Sequence, residues 1–292
     1  MKLHAAGSSV FDSLDSVGRR GALSYEFERQ GLRTVLTRSS CTSPWHHFPP
    51  SYLDDSGCAY TWLVNPSGGL VGGDHVSVEA QLHAGTHVLM TSPSANRVYR
   101  SLSEPVLQEI RVSVGPNARL EWMPELTIPF AGSRFCQSIH VDLAPGATVV
   151  LWDAIASGRV ARGERWAFAA VENEICIRTT LAGSVIERYR VVPGPLPESV
   201  GFVGSWDYVA SLFLIGDAVD AEVWKSLETA IAAILDEHSG PVLGGVSTPV
   251  APGLVVKLVA RSAPDLTETL GAMWAAVRKD LWNLPAPNLR RY

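Results

Sequence analysis

The stretch Val76-Ser77-Val78-Glu79-Ala80-Gln81-Leu82-His83-Ala84-Gly85-Thr86-His87-Val88 decides how this chain is read. Val76, Val78, Ala80 and Leu82 alternate with Ser77, Glu79 and Gln81, the period-two pattern of a strand buried on one face. The run ends in a turn and a second apolar segment begins at Val88. Ile110, Val112 and Val114 repeat the design, leading through Gly115-Pro116-Asn117 to Leu120, and Ile139, Val141 and Leu143 lead through Ala144-Pro145-Gly146 to Val149. Gly85, Asn117 and Gly146 take the same place in each copy, and both residue types tolerate positive φ. A repeat of roughly 30 residues fits strand–turn–strand units that bury their apolar faces on one another. The expected fold is mainly β, an elongated, layered, β-helix-like stack. Ordinary antiparallel hairpins satisfy the same pattern, and the sequence alone leaves both open.

Outward from these copies, residues 1–21 are rich in Ser, Gly and Asp and read as a mobile N-terminal arm. Residues 22–192 form the β-rich body. Val192 to Ser205, with Pro193, Gly194, Pro195 and Pro197, reads as a loop, and residues 193–292 continue the same unit with two helices. The first helix has Asp220 as N-cap and an apolar stripe of Val223, Leu227, Ile231, Ile234 and Leu235, ending at Ser239-Gly240-Pro241. The second opens on Ser262-Ala263-Pro264-Asp265, resembling a capping box. Its stripe is Leu266, Leu270, Met273, Trp274, Val277 and Leu281, and Arg278 and Lys279 suit its C-terminal end. Leu254–Val259 between them reads as a strand.

The bulk properties exclude several classes. Hydrophobic residues at 46% and charged residues at 18% argue for a packed core and against disorder. A net charge of -5 offers no basic footprint for nucleic acid or an anionic membrane. Cys41, Cys58, Cys136 and Cys176 lie far apart with no C-x-x-C pair, so they read as lone buried thiols. No apolar leader follows Met1 and no segment is long enough to cross a bilayer, so the chain reads as cytoplasmic.

Asn65-Pro66-Ser67-Gly68-Gly69-Leu70-Val71-Gly72-Gly73-Asp74 is the most conspicuous motif. It is no phosphate loop, because Asp74 stands where the Walker pattern needs lysine and an alternating strand follows instead of a helix. The paired glycines are expected to let one backbone pass close to another, or to form turns with positive φ. No G-x-S-x-G or H-E-x-x-H occurs, so nucleophile and zincin signatures fail. Among the histidines, His46-His47 sit in a loop, and His75, His83 and His87 are weak metal candidates against a surface or packing role. Asp74, Asp153, Glu164 and Glu187 fall inside apolar strand regions, where a carboxylate is costly unless paired or holding a cation. Two readings stand: structural pairing (Glu187 with Arg188 or Arg190, Glu164 with Arg162), or a polar interior path for a divalent cation.

The glycine block, continued by Thr91-Ser92-Pro93-Ser94-Ala95-Asn96-Arg97-Val98-Tyr99-Arg100-Ser101, resembles the urease accessory protein D family, called H in some organisms. Leu120-Glu121-Trp122-Met123-Pro124, Thr127-Ile128-Pro129-Phe130, Gly158-Arg159 with Gly163-Glu164, and Ile186-Glu187-Arg188 resemble its later blocks, over roughly Tyr25 to Trp282. The resemblance implies a non-enzymatic scaffold that binds apo-urease with accessory proteins F and G. The G partner is a GTPase carrying nickel, and the ion is thought to pass to urease through an internal acid-lined tunnel. Nickel(II) is then transient cargo and no cofactor is tightly bound. By the same resemblance Asp74, Glu164 and Glu187 are the expected path positions, and Asn65, Pro66, Gly68, Gly69, Gly72, Gly73, Tyr99, Arg100, Glu121, Trp122, Pro129, Phe130, Gly158 and Arg159 are motif residues of structural weight. Two features depart from the family: His75 stands where a basic residue is usual, and the tail Leu284 to Tyr292 lacks the usual Pro-Arg-aromatic ending. A role confined to holding urease open, with the carboxylates as core pairs, and a hydrolase using the glycine loop are the competing readings.

Overall fold

A computed structural model describes residues 20–193 and 204–289. The expected arm up to residue 19, most of the Val192–Ser205 loop and the last three residues lie outside the described residues. Arg20 and Gly21, read above as the end of that arm, already belong to the first strand.

Two sheets carry the body. The first runs, in spatial order, β13 (Gly183–Val191), β12 (Ala170–Thr179), β10 (Arg134–Leu143), β7 (Val106–Val114), β4 (His75–Leu82), β1 (Arg20–Gln30) and β2 (Arg33–Cys41). The second runs β15 (Val242–Ser247), β16 (Gly253–Ala260), β14 (Tyr208–Gly216), β11 (Thr148–Ala156), β8 (Arg119–Met123), β5 (His87–Thr91) and β3 (Ala59–Trp62). Short β6 (Asn96–Val98) and β9 (Thr127–Pro129) pair on a third side.

The pairing decides between stack and hairpins. β1, β4, β7, β10 and β12 are joined by parallel ladders, as are β3, β5, β8 and β11. Each repeat therefore leaves the first sheet, turns, and enters the second, giving a solenoid-like stack of about four turns. The turns stack as the strands do: Gly85 N–H donates to Pro116 O at 2.9 Å and Asn117 N–H to Pro145 O at 3.2 Å. Gly85, Asn117 and Gly146 have φ of 69°, 55° and 76°, the left-handed conformation their residue types suggested. Antiparallel strands end the stack, with β2 and β13 flanking the first sheet and β14, β16 and β15 extending the second.

The first sheet faces the second across Tyr25, Val78, Ile110, Ile139 and Ile175, which meet Val88, Leu120, Val149 and Phe213. Its outer face is solvated and carries ion pairs such as Arg178–Asp142 (2.6 Å) and Arg190–Glu172 (2.7 Å), each worth only ~0.2–1 kcal/mol at an exposed site. The second sheet is covered on both faces, which is why β5 and β11 are buried at every position instead of alternating. Its outer cover is the helix pair α1 (Ala221–Glu237) and α2 (Ala263–Trp282), with Leu227, Ile231, Met273 and Val277 on Leu89, Val150, Leu212 and Val256. Asp220 accepts from Glu222 N–H at 2.9 Å and Ser262 Oγ from Asp265 N–H at 3.2 Å, so both expected caps are made. Trp224 belongs to the buried face of α1, while Val223 is only half-buried. Among the described residues no helix is long and apolar enough to cross a membrane.

Arg278, read above as a cation suited to the C-terminal end of the second helix, is used differently from Lys279. It is fully buried, because it follows Trp274 by four residues and so falls on the same helix face. Its Nη1 donates to Tyr60 Oη at 2.8 Å and its Nη2 to Asp54 Oδ2 at 3.2 Å. Its Nε lies 3.7 Å from Glu121 Oε1, which His87 Nε2 meets at 2.7 Å, and Trp274 Nε1 donates to Glu121 Oε2 at 2.5 Å. Arg278 thereby ties two strands and a loop of the stack to the helix layer, and Glu121 extends the network to β5 through His87. Free Cys58 is buried beside this network, which raises its thiol pKa well above the usual value, and Cys176 is buried too; Cys136 is half-buried and Cys41 exposed, against the expectation that all four are buried.

Removing one member of a buried charge network strands the others, so Arg278→Ala should cost about 3–5 kcal/mol in chemical denaturation. A loss below 1 kcal/mol would mean that the helix layer docks without it. Gly69, at φ 155° with Arg97 O 2.6 Å from a would-be Cβ, should lose about 1–3 kcal/mol as Ala. Gly245→Ala, with nothing within 4 Å, serves as the control and should melt like the parent.

Candidate functional site

The glycine block packs on the segment that follows β5. Asn65 Oδ1 accepts from Ser67 N–H at 3.0 Å and closes the turn. Leu70 pairs with Val98 in parallel fashion, donating to Arg97 O and accepting from Tyr99 N–H, each at 2.8 Å. A Cβ on Gly69 would meet Arg97 O and the Tyr99 ring at 2.6 Å, and one on Gly72 would meet Ser101 Cα at 3.0 Å. The close backbone approach expected of these glycines is therefore made against Tyr99-Arg100-Ser101, the motif's second half. From there the Tyr99 ring meets Phe130 edge-on at 5.0 Å, and the Arg159 guanidinium lies 4.4 Å from the Phe130 centroid. Arg159 also binds Glu164 in bidentate fashion, while Gly158, at φ 147°, leaves no room for a side chain beside Glu164 O. Pro129 is buried in β9, Trp122 in the core between the sheets, and Glu121 under the helices.

Inside the stack a different set converges. Gln108, Gln137, Asn173 and Tyr189 are register partners across β7, β10, β12 and β13, on the inward phase that elsewhere carries Ile and Val. Their amides form a chain: Asn96 Nδ2 donates to Gln108 Oε1 (3.2 Å), and Gln108 Nε2 to Gln137 Oε1 (2.8 Å). Gln137 Nε2 in turn donates to Asp153 Oδ1 (2.9 Å) and Asn173 Oδ1 (3.0 Å), and Asn173 Nδ2 to Asp153 Oδ2 (2.9 Å). On the opposite sheet Asp153, Ser211 and Lys257 are register partners across β11, β14 and β16. Ser211 Oγ donates to Glu187 Oε1 at 2.9 Å, and Lys257 Nζ contacts Glu187 and donates to Ser211 Oγ at 2.8 Å.

Asp153 lines three successive cavities. One of about 100 Å³ opens near Asn65, Gly68 and Ser92 and reaches Gln108 and Gln137. A neck of about 10 Å³ among Gln137, Asn173 and Tyr189 follows. Beyond it a cavity of about 500 Å³ holds Glu187, Ser211 and Lys257. Burial raises the Asp153 carboxyl pKa above the ordinary range, against the pull of the Gln137 and Asn173 donors and the Lys257 charge.

Of the three expected path residues, only Glu187 lines one of these cavities, the largest of the three. Asp74 is buried and closes the glycine block, its Oδ2 accepting from Val71 N–H at 2.8 Å. Glu164 has its carboxyl pKa lowered, first by its hydrogen bonds with Arg159. Neither lines the cavities that Asp153 joins. The arginine partners expected for the glutamates also change. Arg188 and Arg190 point outward to Glu174 and Glu172, since neighbours along a strand face opposite ways. Glu164 takes Arg159 as its bidentate partner, with the Arg162 charge adding a smaller pull on its carboxyl.

The histidines do not converge. His75 faces Glu109 at 3.4 Å, His83 faces Glu26 at 2.8 Å on the surface, and His87 is buried under the helices. Ligand atoms of Cys58, His87 and Glu121 lie within 4.8 Å of one another. Glu121 already spends its oxygens on His87 and Trp274, and Arg278 sits beside it, so this donor set suits a closed structural network better than a cation.

Gln108, Gln137 and Asn173 escaped the sequence reading, although extending the Ile110 and Ile139 alternation back by one step places Gln108 and Gln137 inside. That phase was the available signal. Lys257 had none, since nothing in a strand pattern says which carboxylate a lysine meets.

Comparison with known proteins places this architecture. The family model described as UreD urease accessory protein matches residues 19–292. The urease accessory protein UreD of Deinococcus radiodurans is 36% identical over 94% of this chain and 97% of its own length. The UreD of Herpetosiphon aurantiacus is 31% identical over 93% and 95%. The UreD 2 of Streptomyces griseus is 32% identical over 98% and 99%. Coverage this complete, at these identities and with every motif block on one continuous stack, means that the chain belongs to the UreD family of urease accessory proteins, which serve an enzyme and are not enzymes themselves.

Proposed function

We propose that this protein is a cytoplasmic scaffold in urease maturation that binds apo-urease together with accessory proteins F and G and conducts nickel(II) along its interior. The observation that carries the reading is the polar file Gln108–Gln137–Asn173–Asp153, which threads an otherwise apolar core and borders three adjoining cavities, the last of them lined by Glu187 as well as Asp153. Burying amides and carboxylates is costly unless they work or pair, and here the amides and Asp153 form one connected file. Nickel is cargo, handed between amide and carboxylate oxygens. Such ligands hold a borderline cation weakly and release it onward, where thiolates would retain it. The path is assigned to Asp153 and Glu187; Asp74 and Glu164 support the glycine block and the Arg159 surface beside it.

The ion needs the ionised carboxylate. Because the folded Asp153 pKa is raised, nickel transfer should fall away as pH drops through a midpoint above the ordinary carboxylate range. Asp153→Asn and Glu187→Gln should fold, still co-purify with apo-urease, and deliver urease with several-fold less nickel per active site. Full nickel loading with both variants overturns the path. Loss of co-purification before any loss of nickel would favour a purely structural role.

A further inference from the structure

At the last turn of the stack the 500 Å³ cavity is lined by β13 of the first sheet and by β11, β14 and β16 of the second. Glu187 enters from β13 and Lys257 from β16, and their head groups meet. The glutamate side chain is 12% exposed and that of the lysine 53%, so the ammonium reaches inward from the solvent side. Ser211 binds both head groups, and the Phe213 ring lies 5.5 Å from Nζ. Asp153 stands two strands away in the same cross-strand row.

Two carboxylates thus face one ammonium here. Arg188, which also borders the cavity, turns its guanidinium outward to Glu174, and Arg190 turns to Glu172. Burial pulls the Lys257 ammonium down to about 8 against the opposing field of Asp153. A lysine head group is a compact point charge on a flexible stem, able to leave such a position and return.

We propose that Lys257 is a tethered counter-ion that closes the acidic end of the cavity, so that a divalent cation enters or leaves only by displacing its ammonium from Glu187. The proposal rests on the conduction path argued above and adds to it a residue that sets when the acid site is open. A doubly charged ion gains more from Asp153 and Glu187 together than one ammonium does, whereas a monovalent ion gains no advantage. The gate therefore favours divalent cargo over potassium or sodium.

The test titrates the full-length chain with nickel chloride alone, by calorimetry. Lys257→Met should bind nickel(II) at least tenfold more tightly than the parent, Lys257→Arg should stay near the parent, and adding Glu187→Gln to Lys257→Met should abolish the gain. If Lys257→Met fails to fold, Lys257→Gln keeps a polar head group without the charge and should give the same gain. Unchanged affinity in the neutral variants overturns the gate. A lysine that served only packing would lower the melting temperature and leave the affinity where it was. The readout does not involve urease, so failure here is separate from failure of the path, which nickel loading by Asp153→Asn measures.

Discussion

Parallel, in-register stacking is the constraint on which the rest of this protein depends. Once Val76, Gln108, Gln137 and Asn173 occupy one row across β4, β7, β10 and β12, whatever stands at that phase is repeated through the interior. Hydrophobic residues at most phases make the core. Amides at one phase make a file of hydrogen bonds. Because successive turns also bond to one another, as Gly85 does to Pro116 and Asn117 to Pro145, the turns cannot drift out of register without losing backbone bonds. A one-residue slip would turn every inward side chain outward.

The stack has unequal faces, and the difference assigns their work. The first sheet presents a charged, solvated exterior, while the second is sealed by α1 and α2 through the Arg278 network. The third side is narrow. It holds β6 and β9, the glycine block and the Tyr99–Phe130–Arg159 cluster. Glycines there are close-approach positions: they bring Leu70 against Val98, with the first cavity opening beside Gly68 and Gly69. The motif that looked like a ligand loop is thus a piece of masonry at the entrance to the interior.

Inside, partial satisfaction is the informative state. The amides of Gln108, Gln137 and Asn173 bond to one another and to Asp153, yet burial still raises the Asp153 pKa against these donors and the Lys257 charge. A core built for stability alone would do better with Leu or Val at these positions. A carboxylate at the junction of three cavities is the feature on which the proposed handling of a cation rests.

By itself the sequence determined the β class, the turns, the two helices and their caps, because these rest on local terms: period-two burial, tolerance of positive φ, and side chains that cap nearby N–H groups. It also marked the family through Asn65–Asp74 and Tyr99–Ser101. It left open whether strands stack or fold back, since alternation tells which face of a strand is buried and not which strand lies beside it. Only the tertiary structure set Arg278 into the core, paired Glu187 with Lys257 instead of its neighbouring arginines, and brought Asp153 into the file of amides. Those are contacts between residues up to 224 apart in the chain, and they exist only after the long-range ladders have closed.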